Sequence, residues 1–174
     1  MAQEQLRRVS METVEAARRG SDEAWRELFD AHYPKLIRFF RVRVPTDQIA
    51  DDLAADAFAE AFRSIGRFRW RRRPFEAWVF GIARNRLKMH YRSLRTAEPL
   101  SDRMSAFRDE FLDIDLRDAL DRLPDDYREA IVYRYVVGLS GEEAAAAMDR
   151  SHNAFRQLLF RATRQFKREF GPDA

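Results

Sequence analysis

The chain has 174 residues, with 32 Lys and Arg against 29 Asp and Glu for a net charge of +3, a length that supports one good core or two small ones. It holds no cysteine, which excludes disulfide scaffolds, thiolate metal sites and cysteine nucleophiles. No apolar run approaches the roughly 18 residues of a membrane span and the first ten residues lack the apolar core of a signal peptide, so a cytoplasmic protein without membrane insertion is expected.

Residues 1–19 read as a charged leader or short helix, with Val9, Val14 and Ala17 at helical spacing, loosely attached and ended by Gly20. Ser21 or Asp22 caps the next helix, in which Trp25, Leu28, Phe29, His32, Leu36, Phe39 and Phe40 recur at helical spacing. Pro34 is expected to bend this helix without ending it. After the break at Pro45 and Thr46, Asp47 opens a helix with Leu53, Ala57, Phe58, Ala61, Phe62 and Ile65 on its core side. Its polar positions are acids: Asp47, Asp51, Asp52, Asp56 and Glu60. Asp52, Asp56 and Glu60 fall at i, i+4 and i+8, where like charges repel by a few tenths of a kcal/mol per pair. Such a stripe is solvated, holds a cation, or docks on a basic partner. With no His or converging carboxylate nearby in sequence, the cation is the least favoured of the three.

Gly66 ends that helix, and residues 67–74 follow as a loop in which Arg67, Arg69, Arg71, Arg72 and Arg73 interleave with Phe68 and Trp70. Cations hold phosphates and flat rings stack on exposed bases, so this composition suits nucleic acid; an Arg-rich surface loop with a buried Phe anchor is the plainer alternative. The loop feeds a long helix, residues 75–92, that carries three stripes. Phe75, Trp78, Val79, Ile82 and Met89 share one apolar face, and Phe80, Ala83, Leu87, Tyr91 and Leu94 a second beside it. Arg84, Lys88, Arg92 and Arg95 fall on what remains. A helix apolar on two sides and cationic on the third is held rigidly while it offers charge to an anionic partner.

Residues 63–95 hold eleven Lys or Arg and one acid, a local +10, whereas 96–129 hold five Arg and eleven acids, a local −6. Opposite blocks point to separate surfaces for separate partners. Periodicity is lost over 96–112, read as a flexible linker reaching at most roughly 58 Å when extended, enough for two DNA-binding modules to grip sites one to two duplex turns apart at ~34 Å per turn. Beyond it, residues 113–123 make a helix with Leu116, Ala119, Leu120 and Leu123 inward, Pro124 restarts the chain, and Tyr127, Ile131, Val132 and Tyr135 mark the next helix up to Gly138. Ser140 and Glu143 have capping-box spacing, and Ser151 caps a last helix that faces Phe155, Leu158, Leu159, Ala162 and Phe166 inward. Short helix, tight turn and longer helix form a helix-turn-helix pattern. Asn153, Arg156, Gln157, Phe160, Arg164 and Lys167 lie opposite the core; Asn, Gln and Arg suit base edges, Arg164 and Lys167 suit phosphates, and Phe160 suits a thymine methyl or a neighbouring element. The expected architecture is all-α, with two small helical domains, 20–95 and 113–174, joined by the linker. His32, His90 and His152 are isolated and no phosphate loop or ligand cluster occurs, so no catalytic residue, cofactor or metal is expected.

In this order the parts resemble a bacterial RNA polymerase sigma factor of the extracytoplasmic-function, or group-four, family from Gly20 to Phe170. GSDEAWRELFDAHYPKLIRFF resembles the first helix of sigma region two, DDLAADAFAEAFRSIGRF its acidic helix, and FEAWVFGIARNRLKMHYR its last helix. ALDRLPDDYREAIVYRYVVGLSGEEAA resembles the opening of region four and SHNAFRQLLFRA its recognition helix. The resemblance implies that Asp51, Asp52, Asp56 and Glu60 dock on the basic coiled coil of the largest subunit of core RNA polymerase. It implies that Arg67, Arg69, Trp70, Arg71, Arg72 and Arg73, with Arg84, Asn85, Lys88 and Arg92, engage the minus-ten element of promoter DNA and capture a base flipped from the non-template strand. Ser151, Asn153, Arg156, Gln157, Phe160, Arg164 and Lys167 would read the minus-thirty-five element, the linker would thread near the polymerase active-centre channel, and an anti-sigma factor is a further partner that the family allows. Extruding a base costs a few kcal/mol, which stacking and pocket contacts to single-stranded DNA can offset.

Several positions depart from the family pattern. Ile49 stands where an acid is frequent, Met89 where an Asp is common, Asp149 where the turn often has Gly, and Ala144 where a bulky aliphatic is usual. Met89 is therefore expected to replace a polar contact by packing, and Ala144 to leave its helix poorly anchored. In the recognition helix Ala154, Phe155, Gln157 and Leu158 replace all but Arg156 of a frequent Thr-Val-Lys-Ser-Arg run, so promoter sequence does not carry over. The rival readings are a stand-alone helix-turn-helix regulator and a sigma-like decoy that binds protein alone. The acid stripe separates the first rival, since a stand-alone DNA binder has no use for it.

Overall fold

The computed structural model describes residues 10–70, 73–96 and 114–170, and among these there is no strand. The first helix, α1 (Met11–Arg18), starts where the Ser10 hydroxyl accepts from the Thr13 amide, and Gly20 turns the chain at φ +89°. Contrary to the expected loose attachment, Val14 and Ala17 are buried and the Trp25 indole donates to the Ala17 carbonyl at 3.1 Å. That bond satisfies a buried N–H and ties α1 to α2 (Asp22–Arg41). Pro34 lies inside α2, which continues through it. Leu28, Leu36, Phe39 and Phe40 are fully buried along its inner face.

Helix α3 (Asp47–Ser64) begins with the Ile49 amide donating to Thr46 Oγ1 at 3.2 Å. Its inner face is Ala50, Leu53, Ala54, Ala57 and Ala61, and the four small alanines let α2 and α4 approach closely. Phe62, expected in the core, is 56% exposed, and Phe58 is half-buried. After a 3-10 turn (Ile65–Arg67), α4 (Phe75–Thr96) buries Phe75, Val79, Phe80 and Ala83. Its distal apolar positions emerge from the core: Met89 is 60% exposed, so it does not replace a polar contact by packing. Tyr91 instead donates its hydroxyl to the Arg43 carbonyl.

The expected linker lies outside the described residues except for Thr96. The C-terminal unit comprises α5 (Ile114–Asp121), α6 (Asp125–Ile131), α7 (Gly141–Ala147) and α8 (His152–Phe170). Between α6 and α7 a π-helical turn (Val132–Val136) closes with the Val137 amide donating to the Val132 carbonyl at 2.8 Å. The wide turn resets the helical phase. Tyr133 becomes fully buried and Tyr135, expected inward, is 61% exposed. The capping box forms as expected, Ser140 Oγ accepting from the Glu143 amide at 3.2 Å while the Glu143 carboxylate accepts from the Ser140 amide at 2.8 Å. Ala144 is fully buried beside Ala145 and Ala147, so α7 is anchored by close approach to α4 and α8, contrary to the expectation for Ala144. Asp149 takes the helix-turn-helix corner at φ +53°, a left-handed conformation that Asp tolerates better than most residues.

Candidate polymerase and promoter interfaces

On α3, Asp51, Asp52 and Asp56 are exposed. Asp51 lies 4.0 Å from an Arg41 guanidinium nitrogen, and among the described residues no ion pair reaches Asp52 or Asp56. The Tyr33 hydroxyl is pushed up, by burial first and then by the charges of Asp51 and Asp52. Glu60 differs from these acids. Its Oε2 accepts from Arg63 at 3.2 Å and from Arg86 at 3.0 Å, and hydrogen bonding from Arg63, with Arg86 assisting, holds its carboxyl below the usual range. Beside the acids lies an aromatic shelf absent from the sequence-based site: Phe29 stacks on Tyr33 at 4.4 Å and Phe62 leans on Trp25 at 4.6 Å, with Phe29 and Phe62 exposed.

The basic loop is built on a buried ring. Phe68 is buried among Trp70, Phe75 and Trp78, with ring centroids 5.8, 5.5 and 5.2 Å away. The buried anchor and the cationic surface thus coexist. Arg67, Arg69 and Arg73 are exposed, Trp70 is half-buried, and Arg71 and Arg72 lie outside the described residues. Arg69 donates to the Gly66 and Phe68 carbonyls at 2.7 and 2.9 Å, which fixes the loop's bend. Asn85, Lys88 and Arg92 are exposed along α4; the Arg95 side chain falls outside the described residues. Arg84 instead turns toward the C-terminal unit, 3.8 Å from Glu129 and 3.6 Å from Asp149.

Ser151 caps α8 by accepting from the Ala154 amide at 3.2 Å. The six outward residues expected on this helix, Asn153, Arg156, Gln157, Phe160, Arg164 and Lys167, all line one open concavity of about 1230 Å³. Arg161 and Tyr135 line it too, and both escaped the sequence reading. Arg161 was discoverable, since it sits four residues after Gln157 on the same face. Tyr135 was not, because only the π-helical turn directs it there. A capped helix with amide and guanidinium groups along an open face can present bidentate donors to base edges and cations to phosphates.

These surfaces, on a fold of two helical units, define a helix-turn-helix DNA-binding protein with a second, acidic face. Residues 28–96 match the family model Sigma-70 region 2, and residues 113–166 match Sigma-70, region 4. The chain is 32% identical to the ECF RNA polymerase sigma factor BldN of Streptomyces coelicolor, over 94% of this chain and 67% of BldN. It is 33% identical to SigD, an ECF RNA polymerase sigma factor of Mycobacterium tuberculosis, over 86% of this chain and 78% of SigD. The structure of CnrH in complex with the cytosolic domain of CnrY superposes with a TM-score of 0.73 at 26% identity, covering 95% of this chain and 99% of CnrH. The chain belongs to the extracytoplasmic-function sigma factors of RNA polymerase. It acts in promoter recognition and transcription initiation. Among the described residues no helix is long and apolar enough to cross a membrane, and no cluster of His, Cys, Asp or Glu could hold a metal ion.

Proposed function

We propose that residues 20–95 and 113–174 are the working units of this sigma factor, joined by 96–112, and that three surfaces divide its task. The α3 acids Asp51, Asp52 and Asp56 dock on a basic helical element of core RNA polymerase; Glu60, already held by two guanidinium groups, frames that surface. The loop residues Arg67, Arg69, Trp70, Arg71, Arg72 and Arg73, with Asn85, Lys88 and Arg92 and, once released, Arg84, hold the minus-ten element and its displaced strand. Ser151, Asn153, Arg156, Gln157, Phe160, Arg164 and Lys167 read the minus-thirty-five element.

The observation that carries this reading is the exposure of Asp52 and Asp56 without an ion-pair partner among the described residues, beside two exposed aromatic rings. Like charges kept together at a cost in stability make sense when a basic partner covers them. The protein works in the cytoplasm, supplies binding energy without catalysis of its own, and is a candidate for control by an anti-sigma factor, as the complexes of CnrH with CnrY and of RpoE with NepR suggest. Adding the chain to core RNA polymerase on genomic DNA should yield transcripts from discrete start sites. Transcripts no different from those of core polymerase alone would reject the reading.

A further inference from the structure

An exposed apolar side chain stands inside the polar surface of α4. Trp78, Ile82, Asn85, Met89 and Arg92 recur at alternating steps of four and three residues, which sets them in one row along the helix. The row starts beside the basic loop, where the Trp78 and Phe68 ring centroids are 5.2 Å apart, and it leaves the core as it runs. Trp78 and Ile82 are half-buried, whereas Asn85, Met89 and Arg92 are exposed, Met89 by 60%. Lys88, also exposed, borders the same row. On the far side of the helix Leu87 packs against the core and Tyr91 donates its hydroxyl to the Arg43 carbonyl, so the row is held outward on a fixed support.

One exposed apolar residue is ordinary in itself. The neighbours of Met89 make it informative. Asn85 can bond to a base edge while Lys88 and Arg92 suit phosphates, so a strand held by these three brings its bases over Met89. A thioether carries no donor and only a weak acceptor, so it reads no hydrogen-bonding pattern. The apolar group that a base edge does offer is the C5 methyl of thymine. We propose that Met89 is a specificity-determining residue whose side chain packs on the methyl group of one non-template thymine in the minus-ten element. The unbranched, polarisable side chain adapts to such a contact without a preformed pocket. This role rests on the strand contacts given to Asn85, Lys88 and Arg92 above.

The test uses the full chain assembled with core RNA polymerase on a promoter found by the transcription assay above. Each non-template thymine of the minus-ten segment is replaced in turn by deoxyuridine, which removes one methyl group and leaves the hydrogen-bonding edge intact. For wild type, one replacement should weaken binding about threefold to fivefold, the worth of one buried methyl group. Met89→Ala should bind the thymine and uracil forms within about 1.5-fold of each other, because the partner of the methyl group is gone. Met89→Leu, apolar and of similar volume, should keep the discrimination. Met89→Asp should weaken binding to the thymine form at least about tenfold, since it loses the contact and sets an acid beside the phosphates. Equal wild-type affinity for every form, a methyl effect that persists in Met89→Ala, or a minus-ten segment without a non-template thymine would overturn the proposal. Lys88→Ala and Arg92→Ala separate it from the surface it depends on. If they weaken binding while the methyl effect is missing, the Met89 role alone falls; if they bind as wild type does, the strand surface of α4 falls with it.

Discussion

His32 and Glu76 meet inside the N-terminal unit, with Nε2 of the imidazole 3.4 Å from Oε1 of the carboxylate and both side chains almost fully buried. The other ring nitrogen, Nδ1, donates to the Leu28 carbonyl at 2.8 Å, which fixes the ring's orientation. Glu76 lies in the first turn of α4, so the pair joins α2 to the start of the helix that follows the basic loop. Burial alone would raise the Glu76 carboxyl, but hydrogen bonding and charge from His32, with Lys35 further off, leave it below the usual carboxylate range.

Glu76→Ala should therefore cost about 3 kcal/mol at neutral pH, since it leaves the buried Lys35 without a nearby counter-charge and removes the hydrogen-bond partner of the buried His32 ring. A carboxyl depressed on folding contributes stability above its unfolded value of roughly 4.3 and loses it as pH falls through the folded value. Urea titrations should show that part of the gap between wild type and Glu76→Ala narrowing below about pH 4. A gap already shrinking near pH 6 would assign the effect to another group.

Arg156→Ala should weaken binding to the preferred upstream element by about 1–3 kcal/mol and relax selectivity at one base-pair position. Competition among a panel of single-base promoter variants reads this directly. A uniform loss across the panel would place Arg156 on a phosphate.

Trp70→Ala combined with Arg71→Ala should leave binding to double-stranded promoter DNA nearly unchanged while impairing strand opening. The half-buried Trp70 ring is supported edge-on by Phe68, and stacking on a base is worth roughly 1–3 kcal/mol. Permanganate footprinting at the start site should show reduced thymine reactivity. Normal reactivity would remove the loop from the opening step.

Met89→Asp should change stability by no more than about 0.5 kcal/mol, because Met89 is 60% exposed and the substitution removes no core contact. Thermal unfolding of the two proteins side by side checks it. A loss above about 2 kcal/mol would mean that the side chain packs after all.

What could be read in the sequence was the chemistry that acts locally. The caps at Ser21, Ser140 and Ser151 form as expected because each depends on a hydroxyl and an amide three residues on. The outward face of α8 was legible because one helical period runs unbroken from Asn153 to Lys167. What failed depended on other elements. Phe62 and Met89 fit their apolar stripes, yet α3 and α4 outrun the core at those points. The exchange of Tyr133 for Tyr135 follows from a π-helical turn that shifts the phase without a Pro or Gly inside it. Ala144 looked weak beside a bulky aliphatic, but here a small side chain lets α7 lie close to α4. Arg84 belonged to a cationic stripe on the wheel, and only the docked C-terminal unit shows its two carboxylate partners.

The central claim, that the acidic face of α3 carries the polymerase, is tested most directly by titrating labelled core RNA polymerase with the wild-type chain and with Asp52→Lys combined with Asp56→Lys. Both positions are exposed, so the fold should persist. Two reversed charges against a basic surface should cost several kcal/mol, lowering affinity by at least about a hundredfold. Unchanged affinity in the folded double variant would contradict the account.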